Sequence, residues 1–155
     1  MEANRLVTLR EITSDTVRAV CALEVEETQK RNVAPNAISL AEAYVHYPQA
    51  WPRAIHAGDE LVGFLMVYDP TVVEAPDETD FFLWRLMIDR RAQRRGYGRA
   101  AVKLAIDYVR LRGAERILVS HVREDAGLGG FYASFGFEYT GREEERERYM
   151  ALALR

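Results

Sequence analysis

The chain has 155 residues, of which 48% are apolar and 29% are charged, and its formal net charge at pH 7 is −3. This length predicts a single domain, residues 1–155, whose core is large enough to fold without disulfides or metals. The small negative charge gives no reason to expect a nucleic acid or an anionic membrane as a partner.

The sequence contains one cysteine, Cys21, which cannot form an internal disulfide and therefore indicates a reducing compartment. It lies among Val17, Val20 and Val25 at helical spacing, so we expect a buried core side chain rather than a nucleophile. No apolar run approaches the length of a membrane span, and the N-terminus lacks the apolar segment of a signal peptide. These features predict a cytoplasmic protein.

The first third of the chain is predicted to contain a strand and two helices. The strand covers Leu6–Ile12, and a helix begins at Thr13-Ser14-Asp15 and continues to about Lys30. Ser39-Leu40-Ala41-Glu42 matches a capping box, which predicts a short helix that ends before Pro48.

Two strands, 51–57 and 61–68, are then predicted to form a hairpin at Gly58-Asp59-Glu60. An acidic loop over 69–80 separates this hairpin from the apolar run 81–88, which is typical of a strand buried on both faces.

A polar run and two glycines, Gly96 and Gly98, follow that strand and lead into an amphipathic helix that Gly113 should end. The helix start has unpaired N–H groups at the positive end of its dipole, and glycines allow a ligand close to the backbone. With Arg94, Arg95 and Arg99 nearby, this pattern favours a phosphate or pyrophosphate site. The alternative is a surface turn with solvated arginines.

The last third predicts a strand over 116–122, a helix over 126–135, and strands over 137–140 and 148–154. We expect the charged run Glu143-Glu144-Glu145-Arg146-Glu147 to be a solvated turn. Early hairpins and later strand–helix–strand crossovers together indicate a mixed α/β sheet.

Two motifs in this order resemble those of the GNAT N-acetyltransferase superfamily. Gln93-Arg94-Arg95-Gly96-Tyr97-Gly98 matches its acetyl-CoA signature, Gln/Arg-x-x-Gly-x-Gly/Ala, and 131–137 matches an aromatic pair leading into Tyr-x-x-x-Gly-Phe. The likeness extends over almost the whole chain and is greatest to the bacterial spermine/spermidine (diamine) acetyltransferases. The stretches that carry this closer likeness are Val33-Ala34-Pro35-Asn36, Ser39-Leu40-Ala41-Glu42-Ala43, Leu61-Val62-Gly63-Phe64 and Trp84-Arg85-Leu86-Met87-Ile88-Asp89.

The resemblance implies a mixed, mostly antiparallel sheet that is splayed at its fourth and fifth strands and flanked by about four helices. It implies acetyl-CoA as co-substrate, held in the opening, and no metal. The family's usual Asn is Asp125 here, and its usual Ala is Leu128, which leaves one hydrogen bond to the cofactor arm open. The cofactor-binding residues implied are Leu86, Met87, Ile88, Gln93, Arg94, Arg95, Gly96, Tyr97, Gly98, Arg99 and Asp125.

Acetyl transfer to an amine needs a neutral amine, a donor for the developing oxyanion and an acid for the leaving thiolate. Backbone N–H groups around Met87 are candidates for the oxyanion donor. Tyr132 matches the family's tyrosine beside the cofactor sulfur, which makes it the expected general acid. The alternative is that Tyr132, between Phe131 and Phe135, only packs in the core.

The general base is not evident, because Trp84 stands where diamine acetyltransferases commonly carry an acid. Glu27, Glu26, Asp80 and His121 are substitutes that would act through water, although each type is more often solvated or structural. The expected substrate residues are Glu27, Asp80 and Trp84, whose ring could stack on a cationic amine or favour an aromatic one.

We therefore expect an enzyme that moves an acetyl group directly to the primary amine of a small molecule, for which a polyamine is one candidate. The alternatives are a protein amine or drug amine as acceptor, or a CoA-binding module without catalysis. We expect no nucleic acid or membrane partner, and a homodimer is left open.

Overall fold

The structure, a computed structural model, describes residues 5–155. Its seven strands form one sheet in the order β1-β2-β3-β4-β5-β7-β6. The strands are β1 Val7–Arg10, β2 Ala50–Ala57, β3 Glu60–Tyr68, β4 Phe81–Ile88, β5 Arg116–Val122, β6 Glu138–Glu144 and β7 Glu147–Ala153. The helices are α1 Val17–Ala22, α2 Asn36–Val45, α3 Tyr97–Leu111 and α4 Ala126–Ala133.

The sheet opens between β4 and β5, the only parallel pair in the described part of the chain. They are joined through two registered pairs, Phe81 with Ile117 and Phe82 with Leu118, and then diverge. All other neighbouring strands run antiparallel. The predicted fold class, a mostly antiparallel mixed sheet splayed at its fourth and fifth strands with four helices, is confirmed.

A β-bulge in β4 lies close to the point of opening. Val67 pairs with Leu83, and Met66 pairs with Arg85, so Trp84 is the extra residue on β4. A bulge bends its strand and increases the local twist, which helps to turn the end of β4 away from β5.

The two faces of the sheet carry separate cores because successive strand residues point to opposite faces. Ile55 and Leu65 pack with α3 on one face, whereas their neighbours Ala54 and Phe64 pack with α1 and α2 on the other. The cleft at the opening is therefore bordered by α3 and α4 on one side and by the α1–α2 segment on the other.

The prediction of one helix from residue 13 to Lys30 is wrong, since α1 ends at Ala22. The chain then runs extended, and the N–H of Glu24 donates to Oδ1 of Asp89 at 2.9 Å while the N–H of Arg90 donates to the carbonyl of Glu24 at 2.8 Å. These hydrogen bonds to residues 89 and 90 take the place of helical hydrogen bonds at Glu24. Only a short 3-10 turn, Glu27–Gln29, follows.

Two further expectations for this region are also wrong. Helix α2 begins at Asn36 after Pro35, and Ser39, which we expected at its start, is fully buried within it. Cys21 is exposed rather than buried, because α1 has six residues and buries only Val20.

In residues 5–155, no helix is both long and apolar enough to cross a membrane. The same residues contain no group of three or more His, Cys, Asp or Glu side chains that could hold a metal ion.

Candidate active site

A cavity of about 450 Å³, which we call the loop groove, lies between the end of β4 and the start of α3. It contains every residue expected to bind the cofactor except Arg95, which lies outside its lining. The other residues that line it are Val25, Gln29, Asn32, Val33, Ala92, Leu128 and Phe131. The structure thus brings the residues of the loop and of β4 together on one surface.

The backbone at the start of α3 suits an anion. Gly96 precedes the helix with a φ of 84°, Arg94 has a φ of 63°, and no side chain caps the helix. The N–H groups of Tyr97, Gly98 and Arg99 have no partner within the helix, and the helix dipole adds positive potential there. Alternating left-handed residues in such a turn direct N–H groups to one point, as in anion-binding nests.

The space in front of these N–H groups is open. A Cβ added to Gly96 would meet no other atom within 4 Å, and one added to Gly98 would lie 3.6 Å from Cγ1 of Ile88. Packing within the protein therefore does not require glycine at 98, whereas the left-handed φ favours it at 96. The space in front of the helix start is therefore free for an anionic group, as the expected pyrophosphate site requires.

Gln93 holds the loop in place through hydrogen bonds within the chain. Its Nε2 donates to the carbonyl of Ile88 at 3.0 Å and to Oε1 of Gln29 at 2.9 Å. The same Oε1 accepts the N–H of Glu26 at 3.0 Å. Gln93 thus ties the loop both to the end of β4 and to the 3-10 turn.

The arginines lie at the rim of the loop groove. Arg94 is highly exposed and lies 3.7 Å from Oε1 of Glu26. Arg99 donates to Oγ of Ser134 at 2.5 Å, and its guanidinium lies 4.6 Å from the ring centre of Phe135. The guanidinium groups of Arg94 and Arg99 therefore border the groove and also contact other parts of the chain.

Asp89, the residue after β4, is an internal anchor of this site. It is 4% exposed and accepts hydrogen bonds from the N–H of Glu24 and from the N–H and Nε of Arg91. Burial alone would raise the pKa of this carboxyl, but the hydrogen bonds outweigh burial and lower the pKa below its ordinary value. The ionised carboxylate therefore fixes the α1–α2 segment against the loop.

A second cavity, of about 460 Å³, opens on the other side of the splay, and we call it the hairpin cavity because the turn between β6 and β7 borders it. Asn32, Val33, Leu86 and Leu128 line both cavities. The loop groove and the hairpin cavity are therefore two ends of one cleft that passes between β4 and β5.

Tyr132, on α4, lines the hairpin cavity. It is 5% exposed, its ring packs against those of Phe131 and Phe137, and its hydroxyl forms no hydrogen bond within residues 5–155. Burial, and then the negative charge of Asp125, raise the pKa of this phenol well above its ordinary value. The cleft therefore contains a phenol that keeps its proton at neutral pH.

Of the three expected substrate residues, Trp84 alone lines one of these two cavities, the hairpin cavity. Glu27 is 84% exposed and pairs with Lys30 at 3.0 Å. Asp80 precedes β4 and binds Arg116 through both carboxylate oxygens, at 2.8 and 2.9 Å. The structure brings neither carboxylate into the cleft.

His121, a further candidate base, is buried and has both ring nitrogens occupied. Its Nδ1 faces the carbonyl of Val122 at 2.7 Å, which assigns the ring proton to Nδ1. Its Nε2, 2.8 Å from the hydroxyl of Tyr139, then accepts the phenol's hydrogen. This arrangement leaves no nitrogen for an acceptor molecule.

The sequence patterns missed three residues of the hairpin cavity, Glu145, Arg146 and Glu147, which we expected in a solvated turn. No local signal distinguishes them from their charged neighbours. The pairing of β7 with β5, in which Glu147 lies opposite Val122, carries the turn over the opening.

Comparison with known proteins identifies the family. Residues 17–137 match the model of the Acetyltransferase (GNAT) family, so the chain belongs to this family and is a GNAT N-acetyltransferase. No curated protein sequence is similar enough to this chain to count as a relative.

Several solved structures share the fold over nearly their full length. An acetyltransferase from Thermus thermophilus is 18% identical with a TM-score of 0.70, over 99% of this chain and 100% of that one. A spermidine N-acetyltransferase from Vibrio cholerae, in complex with CoA and spermine, is 15% identical with a TM-score of 0.72, over 95% of each chain. The ribosomal-protein-S18-alanine N-acetyltransferase from Escherichia coli is 17% identical with a TM-score of 0.69, over 96% of this chain and 94% of that one. The likeness to the spermidine enzyme is thus one among several.

Proposed function

We propose that this protein transfers an acetyl group from acetyl-CoA directly to the primary amine of a small molecule. The observation that carries the proposal is the continuous cleft, which has an uncapped helix start at one end and the buried phenol of Tyr132 at the other. An anion-binding cradle and a proton donor in one cleft are what a phosphorylated thioester donor requires.

The residues of the chain have separate roles in this proposal. The N–H groups of 97–99, with Arg94 and Arg99 at the rim, hold the pyrophosphate, and the free edge of β4 at Leu86–Ile88 offers backbone groups to the pantetheine arm. An N–H around Met87 supports the carbonyl oxygen as it gains negative charge. Acetyl-CoA supplies an acetyl group activated as a thioester.

Tyr132 serves as general acid in this scheme. The phenol is protonated at neutral pH and lines the cleft, so it is placed to give a proton to the departing thiolate. The ring contacts with Phe131 and Phe137 fix the direction of the hydroxyl. These contacts also fit a pure packing role, which the phenylalanine variant separates from acid catalysis.

Direct transfer is favoured over an acetylated enzyme. Cys21, the single cysteine, lines a smaller neighbouring cavity with Lys30 and Asn36, and it lines neither the loop groove nor the hairpin cavity. Initial-rate kinetics with both substrates varied should therefore give intersecting double-reciprocal lines, whereas parallel lines would indicate a covalent intermediate.

The acceptor is tested with a panel of amines. CoA release is measured with a thiol reagent in the presence of spermidine, a simple alkylamine, an aromatic amine, an aminoglycoside and a short peptide with a free N-terminus. We expect release with a small alkylamine, and a polyamine is the candidate that the resemblance favours. CoA binding without release for any amine would instead support a non-catalytic module.

We also infer that a second copy of the chain covers the outer face of α2. Ile38, Tyr44 and Val45 are exposed there, and Tyr47 is exposed just after the helix. Glu42, the only Asp, Glu, Lys or Arg between residues 33 and 52, pairs with Arg85. Two copies related by a two-fold axis would bring these apolar side chains together without opposing like charges. Light scattering should show a dimer that Tyr44→Glu dissociates, and a monomeric wild type would overturn the inference.

A further inference from the structure

The hairpin cavity has an excess of uncompensated negative charge. Four of its residues are cationic, but carboxylates outside the cavity neutralise three of them. These pairs are Lys30 with Glu27 at 3.0 Å, Arg85 with Glu42 at 2.7 Å, and Arg146 with Glu124 at 3.2 Å. The fourth is Arg31. It lines the cavity together with two carboxylates, Glu145 and Glu147, and none of these three forms an ion pair within residues 5–155.

Glu147 is the better positioned of the two carboxylates. It is the first residue of β7, and its Oε1 accepts a hydrogen bond from Oγ of Ser120 at 2.5 Å. Ser120 follows Val119, whose side chain packs in the α3-side core, so Ser120 points to the opposite face of the sheet. The last β5 residue joined to β4 is Leu118, and Ser120 therefore holds Glu147 at the start of the opening.

A second and independent feature of the same cavity is a polar group that has no partner inside the protein. The phenol of Tyr132 is buried to 95%, lines the cavity and has no hydrogen-bond partner within residues 5–155. The hydroxyl oxygen is not fully enclosed, so it opens on the cavity, where a ligand or water can accept its hydrogen bond. The cavity therefore contains a proton donor without a hydrogen-bond partner, Tyr132, and a carboxylate that can accept a proton, Glu147.

We propose that Glu147 binds the ammonium group of the acceptor and takes its proton, and that Ser120 is the residue that positions this carboxylate. The proposal rests on the proposed function. It assigns a general base to a chain that has Trp84 at the β4 position where diamine acetyltransferases commonly carry an acid. It also sets the acceptor class, since a carboxylate at this point favours alkylamines, which are cationic at neutral pH, over aromatic amines, which are neutral.

Each proton and each electron pair in the transfer of the acetyl group has a source and a destination. One ammonium proton moves to Glu147 and later to water, and the lone pair that it leaves on nitrogen forms the C–N bond. The C–S bond breaks as that bond forms, and the sulfur receives the proton of Tyr132. The nitrogen loses its second proton as the amide forms, and this proton restores Tyr132 through water.

The test compares acceptors in variants of the hairpin and of β5. Glu147→Gln keeps the size of the side chain and an oxygen for Ser120, but it cannot accept the proton. We expect kcat/KM for an alkylamine to fall by about 10²-fold or more, while kcat/KM for an aromatic amine and the CoA affinity in calorimetry change little. Unchanged CoA affinity also shows that the variant is folded.

Ser120→Ala provides the positioning test, and Glu144→Gln the control. Ser120→Ala should raise the KM for the alkylamine more than that for the aromatic amine, and Ser120→Thr, which retains the hydroxyl, should restore it. Glu144 lies on the same turn but pairs with Arg142 and is absent from the cavity lining, so Glu144→Gln should behave as wild type.

Different results would contradict the proposed function and the assignment of Glu147 as the base. A wild-type enzyme that binds CoA but acetylates no alkylamine would overturn both the base assignment and the proposed function. An active wild type whose Glu147→Gln variant loses nothing, or loses activity equally with both acceptor types, would overturn the base assignment alone.

Discussion

Asn32 and Asp125 join the two sides of the cleft. Nδ2 of Asn32 donates to Oδ2 of Asp125 at 3.4 Å, and Oδ1 of the same carboxylate accepts the N–H of Leu128 at 2.9 Å as the cap of α4. Both side chains line the loop groove. One carboxylate therefore caps a helix and holds the α1–α2 segment over the region that the two cavities share.

Asp125→Asn and Asp125→Ala should separate capping from charge. Asn caps a helix as well as Asp does, so Asp125→Asn should leave the urea midpoint nearly unchanged. Asp125→Ala should cost about 1 kcal/mol of unfolding free energy. Because the asparagine removes a negative charge beside a site for pyrophosphate, its CoA affinity in calorimetry should equal or exceed that of the wild type. Equal destabilisation by both variants would contradict the capping role.

Gly98→Val should abolish CoA binding, whereas Gly98→Ala should retain it. The alanine Cβ would lie in ordinary contact with Ile88, but the two extra valine methyl groups would occupy the approach to the helix start. Calorimetric titration with CoA measures the difference, and thermal melting checks that both variants fold. Gly96→Val is less suitable because the φ of 84° at Gly96 adds backbone strain. Equal CoA affinity in both Gly98 variants would remove the cradle assignment.

Tyr132→Phe should lower kcat by about 10²-fold or more with little change in the KM for acetyl-CoA. Burial and the charge of Asp125 raise the pKa of the phenol, so the wild type should show no loss of kcat from Tyr132 ionisation as the pH rises to about 10. Stopped assays of CoA release across that pH range measure both effects. Wild-type turnover in the phenylalanine variant would reduce Tyr132 to a packing residue.

Asp89→Asn should destabilise the protein at neutral pH by about 1–3 kcal/mol, because buried N–H groups lose a charged acceptor. The folded-state pKa of Asp89 lies below its unfolded value, so its stabilising contribution is complete above about pH 4 and is lost as the pH falls through the folded-state pKa. Urea unfolding from pH 7 to pH 3 should therefore show a gap between wild type and variant that narrows in acid. Asp59→Asn, at a fully exposed site, is the control and should not change this pH dependence. A constant gap would contradict the charge-dependent anchor.

The local pattern around Gly96 and Gly98 was sufficient to predict the centre of the fold. An uninterrupted apolar strand, a glycine loop and an amphipathic helix are adjacent in sequence, so each signal is local and the order alone indicates an anion site. The alternation of Met150, Leu152 and Leu154 predicted β7 for the same reason, and all three pack against the α3-side core.

The predictions made from sequence were wrong where contacts between residues far apart in the chain override the local preference for helix or turn. The end of α1 depends on Asp89, which lies 65 residues from Glu24 in the chain, and no helix-stop signal marks it. Ser39 has the chemistry of a helix start, yet burial against the α1-side core places it inside α2. The position of Glu147 in the hairpin cavity depends on the register between β5 and β7, which charge patterning alone does not determine.

Because only Phe81 and Phe82 of β4 pair with β5, the sheet consists of two halves, β1–β4 and β5–β7, with a narrow seam. A molecule that fills the cleft adds contacts to both halves at once and should act as a clamp across this seam. Such a ligand stabilises the folded state by mass action, by about 2.7 kcal/mol at a concentration 100 times its Kd. Amide hydrogens along the free edge of β4 should then exchange more slowly, so the melting temperature and the exchange rate of one strand both report how much of the protein has its cleft filled.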